Sequence, residues 1–244
     1  MRIKLTLSYD GTNFCGWQVQ PNGRTVQEEL ERAVLEVTGE KVRVTGSGRT
    51  DSGVHAQGQV AHFDTNKSIP PERLFKALNA HLPEDVRVLE SRLVDDDFDA
   101  CRGAKKKTYV YSAYLSDTEK PLKERYSVRL DKGLDLEKMK EVAKEFLGEH
   151  DFAGFCASGS SVKTTVRTIY ALDLGVDGED LTFTVTGNGF LYNMVRIIVG
   201  TLVKVGEGKA DREDIRKMLN GGERTIGGKT LQAKGLCLKQ VVYD

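Results

Sequence analysis

The chain has 244 residues, with 36 Lys and Arg against 36 Asp and Glu, 39% hydrophobic and 30% charged residues. That length supports one large domain or two small ones with a real core, and the composition is that of a soluble globular protein. The longest apolar stretch, Val195 to Val205, is interrupted by Arg196, Gly200 and Lys204 and is too short to span a bilayer.

Residues 2–9 open the chain with Ile3, Leu5, Leu7 and Tyr9 alternating against Lys4, Thr6 and Ser8, which predicts a half-buried strand and no secretion signal. Thr25-Val26-Gln27-Glu28 reads as a capping box that opens a helix, Val26, Leu30, Ala33, Val34 and Val37 continue it, and Gly39 stops it. Strands are expected near 41–47 and 58–64. A helix runs from Pro70-Pro71 through Leu74 and Leu78 to Pro83, followed by a strand near 86–94. The order is β-α-β-β-α-β. It recurs with a strand at about 105–115, a helix near 135–147, strands near 166–177 and 181–187 joined by Asp177-Gly178-Glu179-Asp180, a helix from about 190 to 204, a short helix near 211–219 and a last strand at about 236–242. The expected fold class is therefore α+β: two ferredoxin-like, split βαβ halves, 1–101 and 102–244, merging into one mostly antiparallel sheet with helices on one face and a cleft at their junction. The segment near 95–104 is the expected linker.

Between the strands near 41–47 and 58–64 lies Gly48-Arg49-Thr50-Asp51-Ser52-Gly53-Val54-His55-Ala56, with Asp51 at the apex of a tight loop. Two readings stand. Asp51 carries chemistry from a rigid scaffold, or its carboxylate only stabilises the turn. Arg49 is placed to hold a phosphate or to fix the loop. Tyr109, after Lys105-Lys106-Lys107, is either a core ring or a platform for a flat substrate. Arg196 stands in an apolar helix and needs a partner there, any carboxylate or Asp51 itself; a guanidinium beside Asp51 would favour its ionised form. His62 alternates within a strand and reads as structural. Asp51, Ser52 and His55 lie too close together to form a hydrolase triad easily, and there is no nucleophile elbow.

The four cysteines, Cys15, Cys101, Cys156 and Cys237, are scattered, which suggests neither a disulfide framework nor a metal site and fits a reducing cytoplasm. No phosphate-binding P-loop and no dinucleotide fingerprint offers a seat for a nucleotide cofactor. A formal net charge of zero counts against a broadly basic nucleic-acid binder, although Asp95-Asp96-Asp97 and Lys105-Lys106-Lys107 show charge segregated locally.

Taken along the chain, Tyr9 to Gln18, Thr25-Val26-Gln27, Gly48 to Ala56, Gly58 to Phe63, Ala77-Leu78-Asn79, Leu82-Pro83, Lys107-Thr108-Tyr109, His150-Asp151-Phe152 and Gly189 to Arg196 resemble the tRNA pseudouridine synthase A family over nearly the whole length. The Asp51 loop and the Met194-Val195-Arg196 helix carry the resemblance together. It implies that Asp51 is the essential catalytic aspartate, that Tyr109 stacks on the target base, that Arg196 pairs with the aspartate, that Arg49 helps to flip the nucleotide, and that Lys107 contributes to substrate binding. It implies conversion of uridine to pseudouridine at positions 38, 39 and 40 of the tRNA anticodon stem-loop, by a homodimer that needs no cofactor or metal and contacts tRNA rather than a membrane. Three positions depart from the family: Ser52 for a usual Ala, Cys101 for a frequent Arg, and Lys234 for a common Pro. A noncatalytic RNA-binding module and a metal-free hydrolase are the rival readings.

Overall fold

Strand β1, Arg2–Tyr9, buries Ile3, Leu5, Leu7 and Tyr9 and leaves the residues between them half-exposed. In the computed structural model, which describes residues 1–159 and 162–244, it is the centre of the first of two compact units. That unit comprises Met1–Lys105 together with Cys237–Asp244; the second is Lys106–Leu236.

In the first unit β1 pairs antiparallel with β3, His55–Asp64, on one side and with β4, Val86–Val94, on the other. The other edge of β3 takes the two-residue β2, Thr45–Gly46, at Ala61 and His62. Helix α1, Val26–Thr38, starts where the Thr25 hydroxyl accepts the Glu28 N–H and stops at Gly39, whose φ of 71° is the left-handed conformation glycine adopts without cost. The Glu28 half of the expected capping box is not made among the described residues; the reciprocal pair occurs instead at Asp211 and Asp214. Helix α2, Pro71–His81, buries Leu74 and Leu78 and packs on β4.

The second unit is built from β5, Lys106–Leu115, β6, Val128–Leu130, α3, Leu136–Ala143, β7, Gly148–Asp151, β8, Val166–Asp177, β9, Asp180–Gly187, α4, Met194–Gly206, and α5, Arg212–Leu219. Its sheet runs β5-β9-β8-β7, antiparallel throughout, with β6 parallel to β5. The two units thus repeat one idea: the first strand of each lies beside the third in the expected pattern, as β1 beside β3 and β5 beside β9. The molecule is α+β and mostly antiparallel, with five α-helices among the described residues.

Four further local expectations differ. Only Thr45–Gly46 of the stretch 41–47 is strand, because side chains of α1 take the main chain there: Glu31 accepts the Val44 N–H at 3.1 Å and the Gln27 amide donates to the Val44 carbonyl at 3.0 Å. The helix expected from 190 begins at Met194, since Asn193 sits at φ 60° and turns the chain just before it. The 135–147 helix tightens into a 3-10 turn at Lys144–Phe146. The last strand, β10, Leu236–Val242, pairs in parallel with β3 through Cys237↔His55 and Leu238↔Ala56 and so belongs with the first unit.

The stretch 95–104 is packed rather than loose. Ala100 is fully buried, its N–H donates to His62 Nδ1 at 3.1 Å, and its carbonyl accepts the Tyr243 hydroxyl at 2.7 Å. Among the described residues no helix is long and apolar enough to cross a membrane.

Candidate active site

Ser47, Gly48, Thr50, Ser52 and Gly53 of the Asp51 loop, residues 47–54, are fastened to other parts of the first unit. The Ser47 hydroxyl donates to Gln59 Oε1 at 2.6 Å, and the Gln59 amide donates to the Gly48 carbonyl at 3.0 Å. Thr50 shares a 2.8 Å hydrogen bond with the buried Tyr9 hydroxyl, and its carbonyl accepts the Trp17 N–H at 3.0 Å. Past the apex, the Ser52 hydroxyl and the Gly53 N–H both donate to the Phe14 carbonyl, at 3.1 and 3.3 Å.

The turn closes through the main chain, with the Val54 N–H on the Asp51 carbonyl at 3.1 Å. Gly53 has φ 76°, the positive value a type II turn requires at its third residue. Close packing completes the frame: a Cβ at Gly11 would lie 2.0 Å from the Val54 carbonyl oxygen. The network therefore fixes the backbone of Asp51 with neutral groups, burial pushes the Tyr9 phenol far above its ordinary range and keeps it neutral, and Asp51 itself is half-buried while Arg49 is exposed.

In the second unit Lys107 and Tyr109 lie two residues apart on β5 and so share a face, in register with Gly187 and Val185 of β9. Tyr109 is 9% exposed and packs edge to face on Phe190, with ring centroids 5.2 Å apart. Tyr111, next on that face, is fully buried and donates to the Gln232 carbonyl at 2.8 Å. Its phenol is pushed up by burial, against a smaller opposing pull from the Arg196 charge.

Arg196 lies in the first turn of α4 among buried Met194, Val195, Ile197 and Ile198, and is itself half-buried. Its Nε donates to the Leu231 carbonyl at 2.6 Å and its Nη1 to Asn193 Oδ1 at 2.6 Å. The segment that presents Leu231 sits on the helix at Gly200, where a Cβ would come within 1.9 Å of the Lys229 carbonyl oxygen.

The five residues singled out in the sequence thus fall into two groups: Arg49 and Asp51 on one anchored loop, and Lys107, Tyr109 and Arg196 on β5 and α4 of the second unit. Reading the sequence missed the supports: Tyr9, Gln59, Phe190, Asn193 and the Leu231 carbonyl. Asn193 carried a usable signal, an Asn just before a helix, hidden by placing the helix start too early. Among the three departures, Ser52 adds a tether to the loop, Lys234 forms an ion pair with Glu124, and Cys101 is exposed. Among the described residues no three His, Cys, Asp or Glu side chains gather where they could hold a metal ion.

Comparison with known proteins adds the lineage. A family profile described as tRNA pseudouridine synthase matches residues 6–101 and 142–244. A protein of Citrifermentans bemidjiense named tRNA pseudouridine synthase A is 49% identical over 243 residues, covering 99% of this chain and 97% of its own. Its namesake in Bacillus subtilis is 48% identical over 246 residues and covers 100% of both. Among solved structures, that of a Cbf5-Nop10-Gar1 complex aligns over 97% of this chain and 48% of that one, at 13% identity and a TM-score of 0.42. With near-half identity along its entire length and a matching profile on both units, the chain belongs to the tRNA pseudouridine synthase family.

Proposed function

We propose that the chain isomerises uridine to pseudouridine at positions 38, 39 and 40 of the tRNA anticodon stem-loop, with Asp51 acting on the ribose of a flipped-out uridine. Family membership makes it an isomerase acting on tRNA, a pseudouridine synthase. The finer assignment of positions and residues follows from the resemblance of its motifs. The observation that supports it most is the anchoring of the Asp51 turn: its backbone is held by Thr50, Ser52, Gly53 and Val54 contacts, so the carboxylate is not needed to close the turn.

The reaction breaks the bond between N1 of uracil and C1′, turns the base, and forms a bond between C5 and C1′. The proton on C5 is lost and N1 gains one. No electrons are exchanged with a partner, so neither a redox cofactor nor a phosphate donor is called for. Positive charge develops at C1′ as the glycosidic bond stretches, and a carboxylate close by stabilises it. Asp51 does this electrostatically, by attack on C1′, or by removing the C2′ proton to leave a glycal. The nucleotide must first leave its stack, at a cost of about a few kcal/mol; Arg49 takes part in that step. Tyr109 stacks on the base and itself, or through a water it orients, receives the C5 proton. Arg196 supplies the counter-charge that keeps the aspartate ionised, and Lys107 binds substrate. The working form is a homodimer in the cytoplasm.

Asp51→Asn keeps the size and removes the charge. It is expected to lower turnover about a thousandfold or more while tRNA binding and melting temperature stay near wild type. Tritium release from C5-labelled uridine in tRNA, with nucleoside analysis of the product, measures it. Activity retained in Asp51→Asn and Asp51→Ala overturns the assignment. Free uracil as product indicates a hydrolase, and tRNA bound without any product indicates a binding module.

A further inference from the structure

Arg167 is the second residue of β8, half-buried, on the strand that pairs with β9. Its Nη1 donates to two main-chain carbonyls, Thr164 at 2.9 Å and Val166 at 2.6 Å. Among the described residues no carboxylate forms an ion pair with it, and its Nε and Nη2 donate to no group. Three other arginines stand in direct contrast. Arg2 lies on Asp64, Arg24 on Asp85 and Glu29, and Arg216 on Glu145 and Glu213; in all three the carboxylate strengthens the hold on the proton. For Arg167 burial weakens that hold, with only a small opposing contribution from Cys156.

A guanidinium partly withdrawn from water without a carboxylate is unfavourable by itself. Two carbonyls satisfy one nitrogen and leave the charge uncompensated. The edge left available, Nε with Nη2, is the one that grips a phosphate through two parallel hydrogen bonds.

Position narrows the ligand. A Cβ built at Gly189 would lie 3.6 Å from Arg167 Nε, so Arg167 stands beside Gly189 in the segment Gly187-Asn188-Gly189-Phe190. That segment is clasped to the neighbouring residue of β8: the Asn188 N–H donates to the Thr168 carbonyl and Asn188 Oδ1 accepts the Thr168 N–H, both at 3.0 Å. Phe190, the next residue, is the ring that packs edge to face on Tyr109. Arg167 is therefore one short, well-held segment away from the tyrosine proposed to stack on the target base.

We propose that Arg167 is a phosphate-binding residue, taking a backbone phosphodiester of the RNA beside the target uridine and fixing the strand so that its base meets Tyr109. The proposal rests on the function proposed above and assigns a contact within it. Such a contact positions RNA without reading sequence, so its loss raises KM and Kd and leaves kcat nearly unchanged.

The test compares wild type, Arg167→Gln and Arg167→Lys on one unmodified tRNA transcript. Binding is measured at several potassium chloride concentrations and turnover by tritium release. Removing one phosphate contact lowers the slope of log Kd against log salt by about one. Arg167→Gln is expected to do so, to weaken binding about tenfold and to keep kcat within about twofold. Arg167→Lys keeps the charge and loses the fork, so the slope is expected to stay while affinity falls about threefold. A folded Arg167→Gln with wild-type affinity and slope overturns the proposal, as does a fall in kcat at unchanged Kd. If Arg167→Gln does not fold, Arg167→Lys decides, and wild-type affinity in that variant overturns it. Wild-type protein that forms no pseudouridine would instead sink the function on which the proposal rests.

Discussion

The Asp51 loop and the start of α4 hold their charged residues by different means. The loop is secured by hydrogen bonds from residues far away in sequence: Tyr9 and Gln59 from the sheet, Phe14 and Trp17 from the segment after β1. Helix α4 is seated by backbone-to-backbone packing at its middle, where the segment around Lys229 lies directly on Gly200, and that seat brings the Leu231 carbonyl to Arg196 in the first turn. A loop has no ladder of its own, so its precision must be borrowed from neighbouring side chains. A helix is already rigid and needs only a neighbour that fits. Substitutions in the two regions should therefore fail differently: by misplacement in the loop, and at the helix by loss of packing where the backbones touch or by misplacement of Arg196 where its own hydrogen bonds are cut.

The largest effect is expected at Gly200. Alanine there gains about 1 kcal/mol of helix propensity, but its Cβ would stand 1.9 Å from the Lys229 carbonyl oxygen, and that oxygen moves only if the backbone does. Steric cost wins, and urea denaturation should show Gly200→Ala destabilised by about 3 kcal/mol. A variant as stable as wild type would break the packing half of the comparison.

Next is Tyr9→Phe, which deletes a hydroxyl bonded to Thr50 and leaves buried partners unsatisfied. A stability loss of about 1–3 kcal/mol is expected. The more telling result is kinetic: a fall in turnover of about tenfold or more beyond any unfolded fraction, because the carboxylate is no longer held in place. If activity per folded molecule stays at wild type, the hydrogen bonds do not serve the chemistry.

The smallest stability effect belongs to Asn193→Gly. Asn193 is the non-glycine residue at positive φ among those described, at 60°, and glycine accepts that conformation without strain. Melting should shift little. What is lost is the 2.6 Å bond that fixes Arg196 Nη1, so turnover should drop about three- to tenfold with KM near wild type. Asn193→Ala should lose the same activity and in addition about 1 kcal/mol of stability.

Much of the architecture was legible from local physics. The alternation of Ile3, Leu5, Leu7 and Tyr9, the Thr25 cap and Gly39 stop of α1, the prolines bounding α2 and the hairpin at Asp177 to Asp180 depend on residues close together in sequence, and all appear where the pattern places them. The turn at Asp51 was legible for the same reason. Features decided by a distant partner failed, and one local turn was placed too early. Residues 41–44 have the composition of a strand, yet side chains of α1 claim the Val44 main chain. The helix expected from 190 starts late because the chain turns at Asn193, whose side chain serves Arg196.

By itself, then, the sequence determined the main elements of the two β-α-β-β-α-β runs, though not the short strands β6 and β7, together with the turn that carries Asp51 and the motifs that mark the family, since periodicity, caps and turn residues act over a few positions. Only the tertiary structure decided that β10 returns to pair with β3, that Tyr9 and Gln59 fix the Asp51 loop, and that Arg167 is half-buried with no carboxylate paired to it among the described residues. The physical reason is common to all three. Strand partners, buried hydrogen bonds and the solvation of a charge depend on what the rest of the chain brings alongside, and no local pattern carries that information.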